Sequence, residues 1–151
     1  MARGDVVFFN QFMGDLGRKL HDLDNDTFNY AIVDNSTVLA ATTADPRWGA
    51  GGTTNLSLNE VATGTAYTGP AAATIAFDET AGTITIDFTV NPNIAQDAGG
   101  FADGYYLVVY NNTDAGKRAA CYMDLGGPVG NVDGPLVINW NASGALVLAR
   151  P

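Results

Sequence analysis

Cysteine, histidine and basic side chains are scarce in this 151-residue chain, which has one Cys, one His and 7 Lys plus Arg. Because Cys121 stands alone, an intrachain disulfide and a multi-cysteine metal site are both excluded. Seven bases against 16 acids leave a formal charge of −9, and the halves 1–75 and 76–151 each carry eight acids. A surface that is acidic throughout repels phosphate, so neither nucleic acid nor an anionic membrane is an expected partner. No stretch is apolar for long enough to cross a bilayer. The start, Met1-Ala2-Arg3-Gly4-Asp5, lacks the profile of a secretory leader, so synthesis in a reducing cytoplasm is the expectation.

What the chain does have is apolar content without much charge: 46% hydrophobic and 15% charged residues, the mark of a folded domain. Much of the apolar share is alanine, and 18 Gly with 6 Pro imply many turns. A single domain over 1–151 is expected, with a helical segment at 1–23 and a β domain at 28–151. Phe9, Phe12, Met13, Leu16, Leu20 and Leu23 recur at spacings of three and four, which places them on one helical face. Gly14 and Gly17 weaken that helix by about 1 kcal/mol each relative to alanine. A helix so weakened needs something to dock on, which makes Phe9, Phe12 and Met13 candidate partner contacts.

The acidic run Asp22-Leu23-Asp24-Asn25-Asp26 stops the helix, and strands follow. Phe28–Val33 reads as the first strand, with Phe28, Tyr30 and Ile32 on one face. Little periodicity is visible from Asp34 to Leu58, and Asp45–Gly52 reads as a long loop, a class of segment often used for contacts. In Thr83–Val90 apolar and polar residues alternate without a break, so Ile84, Ile86, Phe88 and Val90 are predicted to share a buried face. Tyr105–Tyr110 is apolar on both faces and reads as a central strand. Ala119–Leu125 follows, and Leu136–Trp140 and Ala145–Ala149 look like a hairpin about Asn141-Ala142-Ser143-Gly144. Together these strands predict a mainly β fold, a single-domain sandwich or open barrel with an N-terminal helix.

Chemistry-bearing constellations are few. His21 has only Asp22 beside it and reads as a histidine at a helix C-terminus. Asp22, Asp24 and Asp26 alternate as in a calcium loop, but Thr27 and Val33 stand where the template needs Gly and Glu, so a solvated acidic turn is expected. Asp78 and Glu79 are adjacent on a strand end and point apart, unlike the carboxylates of a glycosidase. The glycine-rich stretches 49–52 and 99–104 lack the lysine of a phosphate cradle. Cys121, mid-strand, suits a small apolar filler better than a nucleophile. No catalytic set, cofactor or metal is therefore expected. The aromatics Trp48, Tyr67, Phe101, Tyr105, Tyr106, Tyr110 and Trp140 suit core or subunit contact better than a sugar platform. Trp48 is set apart by its place in the glycine-rich loop, and with Arg47 it is a candidate partner contact.

The order of segments resembles a group of small virion structural proteins of tailed bacteriophages. The residues that carry the likeness begin with Gly4-Asp5-Val6 through His21-Asp22-Leu23, followed by Ala31 to Asn35 and Pro46-Arg47-Trp48-Gly49. Next come Asn59-Glu60-Val61, Gly64 to Gly69 and Ala98 to Gly104. Asp124-Leu125-Gly126-Gly127, Gly134-Pro135 and Asn139-Trp140-Asn141 complete the series, so the likeness spans most of the 151 residues. The resemblance implies a capsid cement or decoration protein, bound to the major capsid protein on the exterior of the phage head. It brings no catalytic residues. A symmetric homo-oligomer, a trimer matching local threefold positions of a head lattice, is the assembly expected. A tail, neck or head-fibre component is the alternative within the virion, and a carbohydrate-binding module is the alternative outside it.

Overall fold

The computed structural model describes residues 4–141 and 145–149. It is mainly β, with 39% strand and 8% helix, and no barrel closes among the described residues. The elements in chain order are β1 (Val6–Phe8), α1 (Asn10–Gly17), β2 (Phe28–Val33), β3 (Pro46–Arg47), β4 (Thr54–Asn55), β5 (Ala71–Ala73) and β6 (Ile75–Thr80). They continue with β7 (Thr83–Phe88), β8 (Asn93–Ile94), β9 (Gly104–Asn111), β10 (Ala119–Val129), β11 (Leu136–Val137) and β12 (Leu146–Ala149). No described helix is long and apolar enough to cross a membrane.

Five strands make the principal sheet in the order β1-β10-β9-β2-β5, all antiparallel. Its centre is β9, whose Leu107, Val108 and Val109 are wholly buried. One face packs Phe28, Ile32, Leu107, Val109 and Met123 against Ile86 and Phe88 of a second sheet, ordered β12-β7-β6. The small β8–β11 pair adds Ile94, and Ile138 just beyond it joins the same core. The opposite face packs Val33, Val108, Tyr110 and Tyr122 under Leu39 and Leu56, which come from the segment between β2 and β5. The sandwich therefore has two cores, one on each side of a shared sheet.

The strands read from alternation and from continuous apolarity form as expected, but three details differ. The N-terminal helix is eight residues long and not twenty-three, because Val6–Phe8 is a strand paired with Met123–Cys121 of β10. The extended pairing captures Val6 and Phe8 for the sheet, and Lys19 ends the helical turn with a left-handed φ of 58°. The expected hairpin between Leu136–Trp140 and Ala145–Ala149 does not form: β11 pairs with β8, and β12 with β7. The proposed turn residues 142–144 lie outside the described residues. Val90 is 57% exposed because β7 ends at Phe88, two residues short of it, as the chain turns toward Pro92.

Candidate functional site

Position on the fold sorts the five candidate contact residues into two kinds. Phe9 and Phe12 are each 1% exposed. Phe9, at the N-cap of α1, and Phe12, in its first turn, go to opposite cores, Phe9 onto Tyr122 at 5.3 Å and Phe12 onto Phe8 at 4.8 Å. The helix docks on its own sheet, and these two rings have no surface left to offer a partner. Met13, on the outer side of the same helix, is 49% exposed.

Arg47 and Trp48 are half-buried and firmly held. Arg47 donates from Nε and Nη2 to both carboxylate oxygens of Asp45, at 2.9 and 3.1 Å. The Trp48 indole lies flat on Tyr110, with ring centroids 5.2 Å apart and planes 5° from parallel. Its backbone N–H donates to the Lys117 carbonyl at 2.9 Å, tying the loop to the β9–β10 end. Behind it, the Asn55 side-chain oxygen accepts from the Gly49 N–H and from both the N–H and hydroxyl of Ser57. The long loop is thus pinned at both ends, and Trp48 is presented on a rigid base. Rigid presentation matters for a contact residue, because little conformational freedom remains to be lost on binding.

The same covering segment carries two apolar residues that periodicity did not single out. Val38 is 77% exposed and Leu58 79%. Each is next in sequence to one end of a hydrogen bond, from Asn59 Nδ2 to Thr37 Oγ1 at 2.8 Å. Neither sits in a periodic run, and only burial distinguishes them from Leu39 and Leu56 beside them.

The chain matches no family model, no curated protein and no solved structure.

Several segments that carry the phage resemblance meet in space. Tyr67 donates its hydroxyl to Glu60 at 3.0 Å while accepting the Ile32 N–H at 3.0 Å, linking three of the quoted segments. Asp97 Oδ2 accepts from Thr65 N, Thr65 Oγ1 and Ala66 N, and its other oxygen takes the Gly99 N–H. Those bonds, Thr65 first, hold the Asp97 carboxyl down to a pKa of about 2. The buried Asn131 accepts from Phe101 N and donates to the Ala95 carbonyl. A Cβ at Gly100 would collide with the buried Asn131 side chain, which is held by its own hydrogen bonds, so glycine is the residue that fits there.

The sole histidine lies in a buried polar cluster at the end of α1. Four residues past the helix, His21 is 4% exposed and sits between the Phe12 and Phe28 rings, so the helix dipole is not what places it. Its Nδ1 is 3.1 Å from Asn111 Nδ2, and its Nε2 is 4.0 Å from Asp15 Oδ2. Arg118 reaches Asp114 at 2.7 Å and stands 3.9 Å from the same Asp15 oxygen. Burial pushes the His21 pKa down, against the upward pull of Asp15, Asp114 and Asp26. The acidic turn beside it is self-satisfied: Asp22 accepts from Asp24 N, Asn25 N and Asn25 Nδ2, and Asp26 accepts from Asp22 N and Asn111 Nδ2. Among the described residues no three His, Cys, Asp or Glu side chains are grouped as metal ligands. Cys121 is wholly buried in β10, and burial raises its thiol pKa far above the usual range.

Proposed function

We propose that this chain is a structural protein of a tailed-phage particle, a capsid cement protein held against the major capsid protein on the outside of the head. What carries the reading is the ordered set of segments quoted above, several of which are one another's hydrogen-bond partners in the fold. The charge of −9 supports an outward position, since packaged DNA would repel so acidic a protein. The candidate contacts are the rigidly based Trp48 and Arg47, with Met13 on the helix and the exposed pair Val38 and Leu58. A homotrimer is the proposed assembly, in which each small subunit buries apolar surface it cannot cover alone.

Immunogold labelling of intact particles tests the placement, with label expected over heads. Label confined to tails would end the cement assignment and leave the tail-component alternative. Light scattering of the purified protein should give three times 15.7 kDa. Trp48→Ala should weaken attachment to heads by about thirtyfold or more, since a desolvated Trp at an interface contributes about 2 kcal/mol or more. A monomer that ignores heads and binds a defined glycan would instead favour a carbohydrate-binding module.

A further inference from the structure

The longest open strand edge in the described fold is β6. The other strands that end a principal layer, β1, β5 and β12, are three, three and four residues long, whereas β6 has six and pairs only with β7. The Ala81-Gly82 turn closes on the Thr80–Thr83 pair, so alternation assigns the hydrogen-bonded pairs to Thr80, Asp78 and Ala76. Ile75, Phe77 and Glu79 then direct their backbone N–H and C=O groups away from β7, toward the open side. These three residues also share the inner face of the sheet, in register with Phe88, Ile86 and Ile84.

That inner face overhangs the core. Beyond the packed Ile86, the side chains of Phe77, Ile84 and Leu148 face Leu16 and Leu23 across a cleft of about 530 Å³. Phe77, on the edge strand itself, is 38% exposed. The cleft is therefore apolar inside and opens beside a row of unpaired backbone groups. Its surroundings are acidic: Asp22 and Asp24 line it, Asp78 and Glu79 lie on β6, and the basic side chains in the lining are Lys19 and the buried His21.

We propose that β6 and this cleft form a docking site for an extended, basic segment of a partner protein, which adds a strand beside β6 and places an apolar side chain next to Phe77. The backbone edge would provide the hydrogen bonds and the cleft a pocket for alternate side chains, the general arrangement of strand addition. Charge decides between occupants. A second copy of this chain, pairing edge to edge, would add another Asp78 and Glu79, and another net charge of −9, to an edge that is already acidic. Lysine or arginine alternating with apolar residues sets an apolar row beside Phe77 on the inner face and a basic row beside Asp78 on the outer one. The site is on the opposite side of the principal sheet from Trp48, so one subunit could grip two neighbours. It does not depend on attachment to a phage head.

The test uses the purified full chain and ten-residue synthetic peptides that alternate Lys or Arg with Val, Ile or Leu. Matched peptides with Glu in place of the bases serve as controls. Titration followed by amide NMR should move Ile75, Phe77 and Glu79 with the basic peptides. The acidic controls should bind at least tenfold more weakly. The double variant Asp78→Lys, Glu79→Lys should reverse that preference, with its unperturbed spectrum away from β6 showing that it is folded. Equal binding of both peptide classes, shifts confined to other surfaces, or no binding by any basic peptide would overturn the proposal. So would a self-association whose interface maps to β6. Head labelling and this titration are separate readouts, so either can fail while the other stands.

Discussion

The principal sheet is covered on both faces, whereas the β12-β7-β6 sheet is covered on one, and the strand sequences differ in the same way. In β9 the run Tyr106–Tyr110 is buried throughout, because β2 and β10 flank it and a core lies on each side. In β7 burial alternates, with Ile86 and Phe88 inside and Asp87 part-exposed between them. β6, at the margin, is exposed over its last four residues. The comparison shows how one chain grades its stability. Continuous apolar sequence makes the fixed centre, alternating sequence makes a layer docked on it, and an acidic edge strand is left open.

If that gradient is real, truncation should cost most at the centre. Leu107→Ala in β9 removes a side chain with no exposed surface and should destabilise by about 4 kcal/mol. Ile86→Ala in β7, 1% exposed but in the outer layer, should cost about 2–3 kcal/mol. Thr85→Ala, on the opposite face of β7, should change little, within about 0.5 kcal/mol. Urea unfolding midpoints measure all three. Equal losses at Ile86 and Thr85 would remove the proposed register, and a smaller loss at Leu107 than at Ile86 would invert the gradient.

These differences also explain what could be read in advance. Phe28–Val33 and Tyr105–Tyr110 were legible because period and apolar continuity are local properties of the chain. The strand β1 was not, since Val6-Val7-Phe8 merges into the spacing of Phe9, Phe12 and Leu16, and only pairing with β10 separates them. The partners of β11 and β12 were not legible either. Asn141–Gly144 looked like a hairpin turn, yet β7 lies some sixty residues upstream of the strand it captures. For the contact residues, helical spacing could locate Phe9 and Phe12 but could not say that their partner is the protein's own sheet. The setting of His21 depends on Asn111, which is 90 residues away in sequence.

That His21 cluster joins the end of α1 to β9, and its acid response tests how firmly the N-terminal element is fixed to the centre. Burial lowers the folded-state pKa of His21 below its ordinary 6.5. Below about pH 6.5 the unfolded chain takes up a proton that the folded chain does not, so folding stability falls as pH falls through that region. The contribution is fully present above pH 6.5 and is progressively lost until the folded-state value is reached. Urea midpoints measured from pH 7.5 to 5 should therefore decline in the parent protein. The decline should be shallower in His21→Gln, which cannot protonate. Parallel slopes would show that His21 is not buried in its neutral form.

One expected effect is a modest gain, and it lies in the outer sheet. The β6–β7 hairpin turns through Ala81 and Gly82 at φ values of 53° and 80°. Two left-handed residues between a closing strand pair make a type I′ turn, whose twist matches that of the flanking strands. Glycine adopts that conformation freely, but alanine is strained there because its Cβ crowds the backbone. Asparagine tolerates the left-handed region better, and Asn-Gly is the favoured pair for this turn. Ala81→Asn should therefore raise stability by about 0.5–1 kcal/mol. The gain should appear as slower hydrogen exchange in β6 and β7, with little change in β9. An equal gain in protection across both sheets would mean that the two layers open together, and the graded picture would give way to a single cooperative unit. A loss of stability would mean that the turn is not of this type.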